Sequence, residues 1–238
     1  MSAAPSISMV VPIYNERENL RGLVHHIQAL DGYREAFIVD SSDAEDSRAI
    51  ASDVRSAIGD QSRIRYIRSA SKGRASQMNA GASLTSGDVL LFLHCDTRLP
   101  TNAMRMIGEN ISTGVKWGRF DVRLGAQGWI YRMIERMINL RSRLRRIGTG
   151  DQAIYVLSQV FHECGGYPSV PLMEDIALSK MLNRYSRPGL IKQAVITSAR
   201  RWQNRGPLKT VMLMWKLRFL FWVGVAPERL AVMYGDER

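Results

Sequence analysis

The chain has 238 residues, 45% hydrophobic and 23% charged, with a formal net charge of +11. That length fills one well-buried α/β domain, and that composition excludes a disordered or low-complexity chain. The positive balance suits anionic partners: nucleic acid, anionic lipid or a phosphorylated substrate.

Two cysteines, Cys95 and Cys164, with no CxxC pair give no basis for a disulfide framework or a zinc site, and fit a reducing cytoplasm. Residues 1–8 carry no basic n-region, and the first apolar run meets Pro12, so no secretory signal is expected. The longest apolar stretch, 211–225, contains Lys216 and Arg218 and is shorter than the ~18 residues of a spanning helix.

In chain order, 7–13 is short, apolar and β-branched, and reads as a buried strand. Asn15 can cap a helix in which Leu20, Leu23, Val24, Ile27 and Leu30 recur at helical spacing. Residues 36–39 form a second strand ending at Asp40, 47–58 a helix, 64–67 a third strand and 73–84 a helix closed by Ser86-Gly87. A fourth strand, 89–93, ends in His94-Cys95-Asp96. The second half is less regular. It offers a strand at 118–124, a basic amphipathic helix at 129–147, a strand at 153–157, a turn at Cys164-Gly165-Gly166-Tyr167-Pro168, a helix at 172–182, a strand at 195–198 and an amphipathic helix at 207–225.

Strands alternating with helices of 10–15 residues predict an α/β fold: a mostly parallel central sheet flanked by helices on both faces. No linker interrupts it, so 1–238 reads as one domain, with a nucleotide-binding half at about 1–97 and an acceptor half at about 98–238. Ligands of such sheets bind at the carboxyl ends of the strands. Tyr14, Asn15 and Glu16, then Asp40, then Asp96, all fall at such ends.

The turn after the first strand is Pro12-Ile13-Tyr14-Asn15-Glu16, not GxGxxG, which disfavours a dinucleotide-binding dehydrogenase. Asp40 can accept from a base imide or a ribose hydroxyl, or simply close the turn with Ser41, Ser42 and Asp43. Asp96, delivered to the sheet edge by an apolar strand, suits Mg²⁺ or Mn²⁺. His94 on the same strand face reads as packed or as a partner to that site. Ser71-Lys72-Gly73-Arg74 precedes a helix and suits a phosphate. Glu174-Asp175 opens a helix, where acids commonly serve the helix dipole.

The ordered series Val11 to Glu16, Ile38 to Ser42, Gly73-Arg74 with Gln77-Met78-Asn79-Ala80-Gly81-Ala82, and Phe92 to Thr97 resembles the family 2 glycosyltransferases, enzymes of the GT-A (nucleotide-diphospho-sugar transferase) fold. With Gly150-Asp151-Gln152, Gly165 to Pro168, Leu172 to Asp175 and Ser198 to Trp202, it is most similar to the small bacterial subgroup of radical-SAM/selenodomain-associated glycosyltransferases. The resemblance implies that Pro12, Tyr14, Asn15, Glu16 and Asp40 hold base and ribose, with Arg74 and Asn79 also on the nucleotide. It implies that Asp96 binds the metal and diphosphate, that Asp175 is the catalytic base beside Glu174, and that Arg201 and Trp202 flank the acceptor. Two departures stand out: His94 replaces the first acid of the DxD motif, and Ser198 stands where processive enzymes carry Gln.

These readings predict a divalent-metal-dependent, inverting transfer of sugar from a nucleotide-diphosphate sugar to an acceptor hydroxyl, with UDP favoured by family alone. The acceptor is not named by the sequence, and a lipid-linked one fits. The basic helices at 129–147 and 207–225 suit the inner face of the cytoplasmic membrane or a homodimer contact. Two rival readings are a nucleotidyltransferase, which would need a Gly-rich basic loop after the first strand, and a non-catalytic basic module on a membrane surface. Nucleic acid is disfavoured because no stacking aromatics accompany the arginines.

Overall fold

The computed structural model describes residues 4–59 and 63–235. Its chain order is β1 (Ile7–Ile13), α1 (Arg17–Gln28), β2 (Tyr33–Asp40), α2 (Ala44–Ile58), β3 (Ile64–Arg68), α3 (Arg74–Ala82), β4 (Val89–Phe92), β5 (Thr97–Arg98), α4 (Ala103–Ser112) and β6 (Trp117–Leu124). There follow α5 (Trp129–Arg145), a 3-10 turn (Gly150–Gln152), β7 (Tyr155–Leu157), α6 (Ser158–Glu163), α7 (Glu174–Leu182), β8 (Gly189–Thr197), α8 (Arg200–Arg205), α9 (Pro207–Trp222) and α10 (Pro227–Tyr234).

The eight strands form one sheet in the order β3-β2-β1-β4-β7-β6-β8-β5. The first four in that order run parallel, and β6 with β8 is parallel; β7 is antiparallel to both β4 and β6, and β5 to β8. All seven residues of β1 are buried, as expected of a strand covered on both faces. Its side chains alternate: Ile7, Met9, Val11 and Ile13 enter the core that holds Leu20, Leu23, Val24 and Ile27 of α1, whereas Val10 joins Ala75, Met78 and Ala82 of α3 on the opposite face. Gly81 lets α3 sit directly on the sheet, since a Cβ there would fall 2.9 Å from Val39 Cγ2. Pro12, which has no N–H to give a ladder, lies beyond Val10, the last residue of β1 paired with β4.

Several expected elements change in extent. The strand expected at 195–198 is the end of the nine-residue β8, and the one expected at 153–157 begins only at Tyr155, after the 3-10 turn and Ala153 with φ 47°. The short elements α4, α6, α8, α10 and β5 have no counterpart in the sequence reading. The helix expected to be amphipathic at 207–225 is α9, and it is apolar nearly all round. Leu217, Leu213, Leu220 and Phe221 pack inward with α7 and α10, while Leu208, Met212, Trp215, Phe219 and Trp222 are exposed.

Candidate active site

The carboxyl ends of β1, β2 and β4 bring the residues from Pro12 to Glu16, Asp40 and Asp96 to one edge of the sheet. A third layer arrives from the second half of the chain. Asn79 on α3 clamps the turn before α7 with both ends of its amide: Nδ2 donates to the Tyr167 carbonyl (2.8 Å) and Oδ1 accepts from the Tyr167 N–H (2.9 Å). Gly166 there has φ +73°, and a Cβ would press on the Asn79 amide, so the clamp needs a glycine. Met173 then adopts a left-handed backbone (φ 67°), uncommon for a residue with a long side chain, and α7 starts with Glu174-Asp175. Among the described residues four non-glycines have positive φ, and three of them border this site: Asn15, Ala153 and Met173. Strain concentrated at one cleft is characteristic of functional sites.

The carboxylates form a connected set. Gly150 N–H donates to Asp175 Oδ2 (3.0 Å) and Ile176 N–H to Asp175 Oδ1 (2.7 Å). Glu174 is buried and its Oε1 stands 3.9 Å from the Arg74 guanidinium. Arg74 also acts on Asp96, as do Arg200, Glu16 and Asp151. Burial first, then the charge of Glu16, raises the Asp96 carboxyl above its ordinary value. Burial first, then the charge of Glu174, pushes Asp175 up to about 6, against the pull of its two backbone donors. Arg200 Nη2 lies 3.3 Å from Glu16 Oε2, so this arginine spans the mouth between the first turn and α8.

Two residues expected on the nucleotide also carry dense hydrogen bonding within the protein. Asp40 is completely buried and accepts four hydrogen bonds: from Ser42 N–H (2.8 Å), Ser42 Oγ (2.6 Å), Ser47 Oγ (2.7 Å) and Tyr66 Oη (2.6 Å). Burial alone would raise its pKa; these donors outweigh it and hold the carboxyl below its ordinary value. Ser42 in turn accepts the Asn15 N–H (2.8 Å) and so couples the ends of β2 and β1. Asn79, as described, has both ends of its amide on Tyr167. Of the other expected contacts, Tyr14 lies half-buried under Lys72, whose Nζ is 5.7 Å from the ring centroid. Arg201 stacks on Tyr234 (4.6 Å), which turns it toward α10, whereas its neighbour Arg200 faces Glu16 and Asp96. Trp202 is half-buried beside α5 and α9.

The sequence reading missed three contributors. Asp151 is felt by both Asp96 and Asp175, although it stood in a quoted motif. Gln77 Nε2 donates to the carbonyls of Ile13 (2.6 Å) and Val39 (2.8 Å), tying α3 to both strand ends. Arg200 was passed over for Arg201. His94 packs against Gly150, where any Cβ would collide with its ring.

The resemblance implies a divalent ion, and the residues can be tested against it. Among the described residues no three His, Cys, Asp or Glu side chains gather into a metal cage. A Mg²⁺ or Mn²⁺ ion that keeps its waters and arrives on a diphosphate needs only one or two protein carboxylates. Asp96, a hard oxygen donor in an acid-rich pocket, fits that mode of binding and not a closed protein site.

Comparisons with known proteins bear on the family and the fold. The glycosyl transferase family 2 model matches residues 8–167, more than half of the chain, and the chain belongs to that family. A curated relative, undecaprenyl-phosphate 4-deoxy-4-formamido-L-arabinose transferase of Sodalis glossinidius (strain morsitans), is 27% identical over 143 residues, which is 56% of this chain and 42% of that protein. The match thus spans less than half the relative's length.

Among solved structures, a mannosyltransferase from Pyrobaculum calidifontis in complex with GDP-Man and Mn²⁺ superposes with TM-score 0.62 at 16% identity, covering 83% of this chain and 57% of that one. S. aureus TarS 1-349 gives TM-score 0.64 at 14% identity over 90% of this chain and 65% of that one. Its complex with UDP-GlcNAc gives 0.62 at 13% identity over 81% and 58%. At these identities the likeness carries the fold, which is GT-A-like: a mostly parallel sheet flanked by helices.

Proposed function

We propose that this glycosyltransferase moves a sugar from a nucleotide-diphosphate sugar to an acceptor hydroxyl by a single displacement with inversion, with Asp175 as base. The observation that carries the reading is the Asp175 carboxylate. It is held in place by the Gly150 and Ile176 N–H groups, is raised to about 6, and shares an electrostatic neighbour, Asp151, with Asp96. A base with a pKa near the working pH is close to the optimum for proton removal in the transition state. Each Asp175 oxygen accepts one backbone bond and keeps a second lone pair for the incoming hydroxyl. Glu174 is held by Arg74 and keeps Asp175 basic by its charge.

The donor would lie along the carboxyl ends of β1, β2 and β4. Tyr14, Asn15 and Glu16 line the nucleoside side, with Pro12 setting the turn. Asp40 shapes that wall through Ser42 and Asn15, and Asn79 acts through the Tyr167 turn; both are positioning residues in this reading. Arg74 and Arg200 supply positive charge beside Asp96. A divalent ion bound through Asp96 would neutralise charge on the leaving diphosphate. The UDP-GlcNAc and GDP-Man complexes of the structural neighbours support a sugar-nucleotide donor, UDP being favoured by family. The closer likeness to the radical-SAM/selenodomain-associated subgroup, a catalytic unit spanning the whole chain, and Trp202 as an acceptor contact belong to the same proposal. No described helix is long and apolar enough to cross a membrane. A peripheral place on the inner membrane face is in keeping with the exposed apolar residues of α9.

A thermal-shift screen of UDP-, GDP- and dTDP-sugars with and without Mn²⁺ tests this reading. One nucleotide class should stabilise the protein in a Mn²⁺-dependent way and be turned over slowly to free sugar. Stabilisation by nucleoside triphosphates alone, with pyrophosphate release, would favour the nucleotidyltransferase reading.

A further inference from the structure

Gly150 gives its N–H to Asp175, and a side chain from the first half of the chain lies against its backbone. Its φ is not among the positive ones, so the turn does not need a glycine there for conformational freedom. What forbids a side chain is a neighbour. A Cβ at Gly150 would fall on the His94 ring, at Nε2 and Cε1. The glycine therefore serves a close approach, in which the imidazole abuts the residue that carries the donor.

Both partners are held from behind. Leu93 and Cys95, on either side of His94, are buried. The Leu93 N–H donates to the Val10 carbonyl (3.0 Å), and the His94 carbonyl accepts the Thr97 N–H (3.0 Å). The turn at Gly150 closes through the Gln152 N–H on the Thr149 carbonyl (2.8 Å), and Gln152 Oε1 accepts from Ser142 Oγ of α5 (2.8 Å). Next to it, the Gly148 N–H donates to Ser179 Oγ of α7 (2.9 Å). Gly150 is thus confined between the His94 ring and the first turn of α7, where Asp175 takes its N–H (3.0 Å).

We propose that His94 is a positioning residue for the base: by lying against Gly150 it keeps the Gly150 N–H on Asp175, so the segment that ends in Asp96 fixes where Asp175 stands. The inference rests on the reading of Asp175 as base. Transfer needs the base and the leaving diphosphate in line with the reacting carbon, and a misplacement of about 1 Å can cost roughly 10²-fold. A run of contacts from the Asp96 segment through His94 and Gly150 to Asp175 sets that spacing within the protein. It also gives the exchange of an acid for His94 a physical reason. An aspartate is shorter than the ring and would leave Gly150 without its wall. It would also add a negative charge to a site that already holds Asp96, Asp151, Glu174 and Asp175.

The test uses the whole protein without donor or metal and follows the Asp175 carboxyl by ¹³C NMR titration. In the parent it should titrate near 6. The groups that face it, Glu174, Asp151, Tyr167, Arg141 and Arg218, are kept in every variant. An N–H on a carboxylate favours the ionised form, so its loss moves the titration up. His94→Ala removes the wall behind Gly150, and Gly150→Ala drives a methyl into the ring. Each should raise the Asp175 titration by about half a pH unit or more. In the double variant the methyl occupies room that the ring has left, so the titration should return toward the parent instead of showing the sum of the two shifts. Folded single variants that melt earlier yet titrate like the parent would overturn the proposal and leave His94 a packing residue. Shifts that add in the double variant would overturn it too. Should Gly150→Ala fail to fold, His94→Ala alone decides. Parent turnover in Asp175→Asn would instead overturn the base reading, and the role of His94 with it, even where the titration moves as expected.

Discussion

The edge formed by β1, β2 and α3 and the helical layer formed by α5 and α9 differ in how fully their buried carboxylates, amides and guanidiniums are paired. At the sheet edge every buried carboxylate or amide is spoken for. Asp40 has four donors, Gln77 bridges two carbonyls, and Asn79 closes a two-bond clamp on Tyr167. In the helical layer Arg141 and Arg218 are buried in part with N–H groups unpaired, and large apolar side chains face outward. A saturated network rigidifies, whereas an unpaired buried polar group carries a free-energy cost. The contrast sets a fully paired wall at the sheet edge against a helical layer whose buried guanidiniums are less completely paired.

The boundary between the two regions is the α7 start, and changes there should have the largest effect. Asp175→Asn removes the base with little change of volume, and should lower turnover by roughly 10²-fold or more while UDP binding persists. Near-parent turnover in Asp175→Asn with an inactive Glu174→Gln would exchange the two roles. The pH profile sharpens the same point. The Asp175 carboxyl is raised to about 6, so it is protonated and inactive as a base below that value and ionised above it. The acid limb of kcat/KM should therefore be half-maximal near pH 6 and should vanish in Asp175→Asn. A limb centred near 4 would place the base in an unburied carboxylate.

Within the donor wall, Asp40→Asn should act on stability first. It replaces an acceptor of four hydrogen bonds by a group that must turn a donor toward Ser or Tyr hydroxyls, a cost of about 1–3 kcal/mol in denaturant unfolding. Parent stability combined with lost UDP affinity would instead make Asp40 a direct nucleoside contact. The smallest effect belongs to the outer stripe. Phe219→Ser and Trp222→Ser, at positions 60% and 71% exposed, should change stability by no more than about 0.5 kcal/mol. A larger loss in a concentration-dependent transition would indicate a buried dimer face.

Much of the donor half was legible because it obeys local rules. Strands β1, β2 and β4 are apolar runs that end in polar residues, and the family pattern is written along them in order. Pairings far apart in sequence were not legible. Nothing local marks Asn79 as the partner of Tyr167, 88 residues away, or separates an Asp40 that closes a turn from one that touches a nucleoside. Arg200 and Arg201 are neighbours on a helix and point about 100° apart, so the motif alone could not say which faces Asp96.

The basic cluster between 132 and 146 reads as a face toward an anionic membrane or a second subunit, yet three of its arginines work inward. Arg132 donates to the Leu124 and Ala126 carbonyls, Arg143 pairs with Asp121, and Arg141 lies largely buried between α5 and α9. Spacing cannot reveal that, because charge on one side of a helix looks the same whether its partner is water, another strand or an absent ligand.

The central claim, that the sheet edge at Asp96 binds a sugar nucleotide through a divalent ion, is tested most directly by titrating UDP into parent and Asp96→Asn protein with and without Mn²⁺. The account predicts Mn²⁺-dependent binding in the parent, and a folded Asp96→Asn variant in which the Mn²⁺ dependence is gone. Unchanged Mn²⁺-dependent binding in the folded variant would contradict it.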